Sequence, residues 1–586
     1  MNNEFKVTHD IKQIGRYKLP ITPFENIAIS LSGGGYRATS FHLGTLSYLS
    51  SKKWFDVSLL ERTRIISTVS AGTFIGVKYV TTIKKGGTIE DCYKSVYSFM
   101  KNCDLATEAL SYLSNDDNWH EGIQRSLINS FSAIYYQKFE SEVFNLLWDE
   151  KEIHLKEICF NATEFNFALP FCFYKTENNN KKHENIGNRK IYIPLEVAKE
   201  IRFADIIAAS SCFPFGFEPI NFPDDFIYAD AKNLKDASLL PKYAFDGDKI
   251  EYPIGLMDGS VYDNQGIDAV VASERRMKQY HDERQAFRSD DLKAVDLFIL
   301  SDVSSPNTES YIRSTPNKIP YIGNWNFASL KTFGLCSVVI GFISILLAFY
   351  HNTKFVIISL SVFGTIGLLL ALILLVFSSG ITGIAKRFGV SEYELKRILH
   401  FDKLKFETLY NLFLNRSKSG KKLVSDVFIR QMKWISFERI FSDASWKPRI
   451  LMNASRKLNG SEVEKRKKKH HYLNEELLYP GKLIISASEK ANTKTTTLWF
   501  SDKELAGDQN MLDTIIASGQ YTTCFNLLEY IERTIKHELY TTDYENYSIE
   551  TKAAIDQLHQ SLMEDWIKFK KDPYWMVNEW NKLNAN

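Results

Sequence analysis

Residues 27–51 read IAISLSGGGYRATSFHLGTLSYLSS and decide the fold of the N-terminal half of the chain. Ile27 to Leu31 is a short β-favouring run, Gly33, Gly34 and Gly35 follow it, and helix-like spacing runs from Phe41 to Leu49. A strand that passes through glycines into a helix predicts a loop whose backbone N–H groups approach a negative charge. That charge is either a phosphate already present in a nucleotide or one that exists only during a reaction.

The glycine loop does not have the spacing of a nucleotide-binding loop. Residues 32–40, SGGGYRATS, lack both the G-x-x-x-x-G-K-[ST] pattern and a lysine that would reach phosphates. The G-x-G-x-x-G fingerprint fails at its third glycine. Successive N–H groups aimed at one oxygen suit the oxyanion of a tetrahedral intermediate. Arg37, directly after the loop, would hold the loop or add positive potential toward a lipid phosphate.

A second strand-to-helix turn presents Ser70. The sequence RIISTVSAGTFIGVKYV runs from Arg64 to Val69 as an apolar strand, turns at Ser70 and Gly72, and continues with helix-like spacing from Thr73 to Thr82. This is the arrangement of a nucleophile elbow, although Thr68 stands where the G-x-S-x-G pattern has its first glycine. The alternative is a serine that only caps the N-terminus of a helix.

A serine nucleophile needs a base, and the best candidate is Asp258. It lies in YPIGLMDGSVYDNQGI, where an apolar stretch delivers a carboxylate into a turn at Gly259. The alternative is an ordinary Asp-Gly turn. No histidine stands in a comparable context, and the histidines considered are expected to be structural or solvated: His42, His154, His281 and His400.

Composition bounds the class of protein. The 586 residues allow roughly two to four domains. The 72 basic and 70 acidic residues leave a net charge of +2, so the overall charge does not indicate nucleic acid as a partner. The seven cysteines are scattered and form no C-x-x-C pair, which fits neither a disulfide framework nor a zinc site and favours a reducing, cytosolic setting.

Two uncharged runs, 333–350 and 355–377, are close to the ~20 residues that cross a bilayer. They predict a two-helix transmembrane hairpin, 333–377, whose tip carries fewer basic residues than its outer flanks. That bias predicts a multi-pass membrane protein with its large flanking regions in the cytoplasm. The alternative is a pair of helices buried within a core.

The flanking regions predict an α/β catalytic block and a helix-rich C-terminal region. Besides the strands above, 190–194 and 295–301 favour β-structure, and strands that alternate with helices predict a mainly parallel sheet covered on both faces. The predicted organisation is an extension, 1–20, a catalytic domain, 21–320, the hairpin, and a region, 390–586, that is either a separate domain or the completion of the catalytic domain. From residue 482 onward, that region suggests one strand, a loop and an amphipathic closing helix.

Three motifs in order carry a resemblance to a known family. SGGGYRA, TVSAG and DGSVYDNQG, with ASSCFPFGFEPI at 209–220, resemble the patatin-like phospholipases of bacterial type over about 24–305. The resemblance implies a three-layer α/β/α fold and a Ser-Asp dyad without histidine. The implied site comprises Ser70 as nucleophile, Asp258 as general base, Gly33, Gly34 and Gly35 as oxyanion hole, and Arg37, Gly72 and Gly259 in support.

The resemblance also implies hydrolysis of carboxyl esters of phospholipids or related glycerolipids, without a metal or an organic cofactor. With the predicted hairpin, it describes a membrane-anchored serine lipid acyl hydrolase whose partners are a phospholipid substrate and the bilayer; no oligomeric state is predicted. Two rival hypotheses remain. One is a catalytically silent membrane scaffold or lipid-binding protein, and the other is the same chemistry on a thioester or a soluble ester. The chain departs from the family pattern at Thr68 and at Ser260, where a second glycine is usual.

Overall fold

The structure is a computed structural model of the chain. It describes residues 18–119, 124–177, 186–227, 241–244, 247–250, 253–284, 295–303, 315, 318, 323–350, parts of 354–369, 405–469, 473–537 and 540–585. The chain divides into two compact units, 1–308 with 425–586, and 309–424.

A mixed sheet of eleven strands in the described residues forms the centre of the first unit. Strands β2 and β3 form a separate hairpin. The strands are β1 (Ile27–Leu31), β2 (Lys53–Trp54), β3 (Val57–Ser58), β4 (Thr63–Val69), β5 (Glu157–Glu164), β6 (Leu169–Thr176), β7 (Ile186–Gly187), β8 (Ile191–Ile193), β9 (Ile220–Phe222), β10 (Lys242–Tyr243), β11 (Ile254–Asp258), β12 (Leu297–Asp302) and β13 (Ile450–Ala454).

The sheet has a parallel half and an antiparallel half. Its order is β10-β8-β7-β6-β5-β4-β1-β12-β13, and β11 pairs with the end of β5 and with β9. Strands β5, β4, β1, β12 and β13 run parallel, whereas the remaining pairs are antiparallel. The carboxyl ends of β1 and β4 therefore lie side by side, and this edge is where ligands bind in parallel sheets.

Helices cover both faces of the sheet. In the first unit they are α1 (Gly35–Ser51), α2 (Ala71–Lys84), α3 (Ile89–Asn102), α4 (Leu105–Ser114), α5 (Leu127–Lys138), α6 (Leu195–Lys199), α7 (Phe203–Ser211), α8 (Ser260–Asp263), α9 (Ile267–Arg284), α12 (Ile429–Ser442), α13 (Gly460–Lys469), α14 (Glu475–Leu478), α15 (Lys482–Asn492), α16 (Asp502–Leu505), α17 (Met511–Tyr530), α18 (Thr541–Glu545), α19 (Ile549–Lys571) and α20 (Trp575–Ala585). The second unit contains α10 (Phe327–Tyr350) and α11 (Phe406–Lys422).

Alternation along the strands separates two hydrophobic cores. In β1, Ile29 faces the larger core, which includes residues of α1, α2 and α17, whereas Ala28 faces a smaller core with α9 and α12. Strand β12 divides in the same way, with Ile299 on one side and Phe298 on the other. Successive strand residues point to opposite faces, so two cores on one sheet make a three-layer α/β/α arrangement.

The elements around the two predicted turns are confirmed. Strand β1 has the predicted bounds, and β4 begins one residue earlier than predicted. Helices α1 and α2 begin earlier than the helical spacing in the sequence predicts, directly after the two turns. Strand β8 confirms the β-favouring run predicted at 190–194. The rest of the antiparallel half was not predicted, and three of its strands, β7, β9 and β10, are only two or three residues long and carry little periodic signal.

The C-terminal region contributes to the same sheet and core. Strand β13 pairs in parallel with β12. Helix α17 packs on α1, and the two helices cross at glycines: a Cβ placed on Gly44 would lie 2.0 Å from the Ile516 carbonyl oxygen, and one on Gly519 would lie 2.1 Å from that of Phe41. Only glycine permits this backbone approach.

Two predictions for the C-terminal region are wrong. The segment from Lys482 is helix α15 rather than a strand, because Ile484, Ala487, Ser488 and Ala491 repeat at helical spacing and are buried together. Helix α17 is buried on all sides from Leu512 to Tyr530 instead of being amphipathic. It lies inside the core rather than at its surface.

The predicted membrane hairpin is not supported. Helix α10 covers the first predicted segment, 333–350, while most of the second, 355–377, lies outside the described residues. Across the parts of the chain that the structure describes, no helix combines the length and apolar character that a membrane crossing requires. The described residues therefore do not support the prediction of a two-helix, multi-pass protein.

We expect Gly519→Ala to lower the free energy of unfolding by about 1–3 kcal/mol or more, because the added methyl group overlaps main-chain atoms that cannot yield locally. Denaturant unfolding followed by circular dichroism measures this. Gly420→Ala in α11 is the control, since nothing lies within 4 Å of a Cβ there and alanine favours a helix. An unchanged unfolding midpoint for Gly519→Ala would contradict the close crossing.

Candidate active site

Ser70 occupies the corner between β4 and α2. Its backbone has φ 53° and ψ −125°, a region that residues other than glycine rarely adopt and that costs on the order of 1–3 kcal/mol. The helix that follows passes very close to the end of β1, because a Cβ on Gly72 would lie 2.2 Å from the Leu31 carbonyl oxygen. Gly72 is therefore required by this close approach, as the elbow arrangement predicts.

Hydroxyl groups hold the strained corner. The Ser70 N–H donates to Ser210 Oγ at 2.9 Å, and Ser210 Oγ in turn donates to the Asn161 carbonyl oxygen at 2.6 Å. The hydroxyls of Thr73 and Ser210 lie 2.7 Å apart, and those of Thr68 and Thr73 lie 2.9 Å apart. This chain of hydrogen bonds gives Thr68 a role in the corner that a glycine could not have.

Thr68 also fits sterically where the family pattern has glycine. The threonine methyl carbon lies 2.4 Å from where a Cβ on Gly76 would be. The space for the larger residue in β4 is thus provided by a glycine one turn into α2. Gly76 therefore compensates for the departure from the family pattern at Thr68.

Strand β11 brings Asp258 to Ser70 across the end of β5. Ser70 Oγ donates to Asp258 Oδ2 at 2.7 Å, and the Ser260 N–H donates to Asp258 Oδ1 at 2.8 Å. A Cβ on Gly259 would lie 2.5 Å from the Asn161 carbonyl oxygen, so the turn after Asp258 needs a glycine at that position. Ser260 contributes its backbone N–H, which a glycine would also supply.

Burial controls the ionisation of Asp258. The side chain is 1% exposed, and removal from water raises the pKa of its carboxyl group to about 6. The hydrogen bonds from the Ser260 N–H and the Ser70 hydroxyl oppose this rise, because they stabilise the carboxylate. A carboxyl group with a pKa near 6 is mostly ionised at neutral pH and still basic enough to accept a proton.

The described histidine side chains do not hydrogen-bond to Ser70. His42 is fully buried, with its two ring nitrogens 2.9 Å from Ser301 Oγ and from the Ser32 carbonyl oxygen. Burial lowers the pKa of His42 to about 4, so it stays neutral. His154 contacts the Tyr79 hydroxyl instead. His400 and the side chain of His281 lie outside the described residues.

The glycine loop runs beside Ser70. A Cβ on Gly33 would lie 3.5 Å from Ser70 Oγ, and the Gly33 N–H donates to the Asn264 carbonyl oxygen at 3.2 Å. Among the described residues, no acceptor in the chain takes the N–H groups of Gly34 and Gly35. Of the three predicted donors, one is thus engaged, whereas the other two are free to bind an oxygen.

Arg37 is turned into the protein. It is 9% exposed, and its Nη1 donates to the Lys494 carbonyl oxygen at 3.0 Å. Burial lowers the pKa of Arg37, and the nearby carboxylate of Asp302 opposes that shift. Of the two predicted roles for Arg37, the geometry favours holding the loop over contact with a lipid phosphate.

Three residues near the site were not identified from the sequence. Ser210 lies in the quoted stretch 209–220 and Asn264 in DGSVYDNQG, so a polar residue within a motif was the available signal. The third, Thr497, accepts the Tyr36 N–H at 2.8 Å from a distant part of the chain, and no local pattern marks it.

The comparison with protein families agrees with the resemblance in the motifs. Residues 29–271 match the family model for patatin-like phospholipase, a range that contains the glycine loop, Ser70 and Asp258. None of the curated proteins compared with the chain matches it. The chain therefore carries a patatin-like phospholipase domain, the domain of a lipid acyl hydrolase, which is a carboxylic ester hydrolase.

We expect Ser210→Ala to lower the free energy of unfolding by about 1–3 kcal/mol, because it leaves the buried Ser70 N–H without an acceptor at a strained corner. Denaturant unfolding measures the change. The control is Ser130→Ala, which removes a buried hydroxyl whose one hydrogen bond among the described residues is to the carbonyl oxygen of Ser126, the residue that caps the same helix. Equal losses for the two variants would contradict a specific role for Ser210.

Proposed function

We propose that the protein hydrolyses carboxyl esters of phospholipids or related glycerolipids, with Ser70 as nucleophile and Asp258 as general base. The observation that carries the proposal is the 2.7 Å hydrogen bond from Ser70 Oγ to the buried Asp258 carboxylate, at a strand-to-helix corner beside two free N–H groups. A hydroxyl bonded to a buried carboxylate, next to a loop with free backbone donors, supports an acyl-transfer reaction.

In the first half of the reaction, Ser70 Oγ forms a bond to the ester carbonyl carbon while its proton passes to Asp258 Oδ2. The carbonyl oxygen becomes an oxyanion, and the N–H groups of Gly34 and Gly35 stabilise it. When the carbon–oxygen bond to the lipid breaks, the leaving alkoxide takes the proton from Asp258. The products are the acyl-enzyme ester on Ser70 and a lipid with one acyl chain fewer.

In the second half, water replaces the alcohol. Asp258 accepts a proton from the attacking water, whose oxygen bonds to the acyl carbon, and the oxyanion forms again in the same place. The intermediate collapses, Ser70 Oγ leaves and regains the proton from Asp258, and a fatty acid is released. The enzyme returns to its starting state without a metal or an organic cofactor.

The lipid substrate is proposed from the family match, and the roles of the supporting residues are proposed from their geometry. A lipid acyl hydrolase domain favours a glycerolipid over a soluble ester. Arg37 would act by holding the glycine loop, since its side chain is buried and bonded to a main-chain carbonyl. Gly33 would place the loop against Ser70, and Gly72 and Gly259 would allow the close approaches that bring Ser70 and Asp258 together.

Ser70→Ala and Asp258→Asn should each lower kcat/KM for phospholipid hydrolysis by roughly 10³-fold or more, because each removes one half of a unit that acts together. The measurement is release of fatty acid from phospholipid by purified protein, supplemented by labelling with a fluorophosphonate probe, which reacts only with an activated serine. The control is Asp56→Asn, which changes an exposed carboxylate. If Ser70→Ala hydrolyses lipid at the parental rate, the proposed dyad is wrong.

The pH dependence of kcat/KM should reflect Asp258. The group must be ionised to accept the serine proton, and burial raises its pKa to about 6. Activity should therefore be low below pH 6, rise about tenfold per pH unit on the acidic side, and level off above pH 7. Initial rates at low substrate concentration between pH 4.5 and pH 8 test this. A profile that is flat across pH 6 would exclude Asp258 as the base.

A further inference from the structure

The N-terminus of α1 is covered by a segment from the far end of the chain. This 494–504 segment, KTTTLWFSDKE, follows α15 and ends within the short helix α16, which precedes α17. The Thr497 carbonyl oxygen accepts the Tyr36 N–H at 2.8 Å. A Cβ on Gly35 would lie 2.5 Å from the same oxygen, so the segment lies directly on the glycine loop.

This contact selects which N–H groups are free. The first N–H groups of a helix have no partner within the helix, so those of α1 need other acceptors. Thr497 takes the Tyr36 N–H, and Asn264 takes that of Gly33 on the other side of the loop. The N–H groups of Gly34 and Gly35 between them are left for an oxygen of a ligand. The directions of the Gly34 and Gly35 N–H groups therefore depend on both Thr497 and Asn264.

The segment is attached to α1 at two further points. Arg37 Nη1 donates to the Lys494 carbonyl oxygen at 3.0 Å. The rings of Tyr36 and Phe500 lie 5.9 Å apart, and both side chains are buried. The 494–504 segment therefore follows the first turn of α1 through main-chain, guanidinium and aromatic contacts.

Lys494 holds the segment in its conformation. Its side chain is 2% exposed, and Nζ donates to the Trp499 carbonyl oxygen at 2.9 Å and to both carboxylate oxygens of Glu504 at 2.9 and 2.8 Å. Glu504 also accepts the Ser501 N–H at 2.8 Å. One buried ammonium group thus closes the loop that carries Thr497. Removing it would leave the Glu504 carboxylate without its positive partner and the Trp499 carbonyl oxygen with only the Thr497 hydroxyl as donor.

We propose that the 494–504 segment, held by Lys494, positions the oxyanion hole of the proposed hydrolase by fixing the direction of the Gly34 and Gly35 N–H groups. Lys494 is a positioning residue, because it acts through Thr497 and makes no contact with the reacting atoms. The inference rests on the proposed function. Loss of one oxyanion donor typically costs about 10²–10³ in kcat, so misdirection of these donors should cost somewhat less.

The test is Lys494→Met in the full-length chain, assayed by release of fatty acid from phosphatidylcholine vesicles with a small amount of detergent. We expect kcat to fall about 10- to 100-fold while KM stays within about twofold, because the oxyanion exists only after substrate has bound. The acid limb of the pH profile should keep its midpoint, since Asp258 is untouched. The matched control is Lys490→Met, whose Nζ bonds to the exposed Gln509 carbonyl oxygen and should leave kcat unchanged.

Two more variants separate positioning from folding. Glu504→Gln keeps the shape of the partner and removes its charge, so it should lower kcat in the same direction but less than Lys494→Met. Lys494→Arg keeps charge and donors and should restore most of the lost kcat. All rates are compared per folded protein, with the folded fraction measured by circular dichroism.

The proposal is overturned if Lys494→Met, per folded molecule, retains the parental kcat, or if its main effect is on KM. It is also overturned if Glu504→Gln lowers kcat no more than Lys490→Met does. These results differ from failure of the proposed function itself. In that case Ser70→Ala would hydrolyse the vesicles as fast as the parent, whereas an inactive Ser70→Ala with a fully active Lys494→Met removes only the positioning role.

Discussion

The close crossing of α1 and α17 is the packing constraint on which the site depends. Gly44 and Gly519 let two helix backbones meet where any Cβ would overlap main-chain atoms. Because α1 begins at the glycine loop, its placement sets the position of that loop beside Ser70. Because α17 belongs to the C-terminal region, the same crossing brings the 494–504 segment over the loop. One contact between glycines thus joins two distant parts of the chain at the site.

The site combines a strained backbone with a buried charge. Ser70 is held at a positive φ by a chain of hydroxyl groups that ends at the Asn161 carbonyl oxygen. Asp258 is removed from water yet receives two hydrogen bonds, so its pKa lies near 6 rather than far above neutrality. Burial makes the carboxylate more basic, and the hydrogen bonds keep it ionised. A carboxylate in this environment has the basicity for which many hydrolases use histidine.

The glycine loop owes its direction to acceptors on both sides. Asn264 binds the N–H at one end of the loop, and Thr497 binds the first N–H beyond its other end. Backbone donors placed in this way are preorganised, which is what makes them effective toward a charge that appears only in the transition state. The buried Lys494–Glu504 pair lies one step further out, where it stabilises the conformation of the segment rather than contacting the loop.

The local elements of the site follow from the sequence alone. The runs before Gly33 and Ser70 are apolar and β-favouring, the residues after them have helical spacing, and the order of the three motifs indicates Ser70 and Asp258 together. Such signals lie within a few neighbouring residues. The same kind of reasoning assigned α15 to a strand, because a short apolar run fits either element until its burial pattern is known.

Tertiary structure alone decided which N–H groups of the glycine loop are free and what Arg37 contacts. Arg37 and Lys494 are 457 positions apart in the chain, and no periodicity or motif relates them. The prediction of an amphipathic helix at α17 failed for a different reason: hydrophobicity is even around this helix, which is typical of a buried helix rather than one at the surface. Sequence patterns report local geometry and chemical type, whereas contacts between remote segments arise only when the helices and the sheet pack into one core.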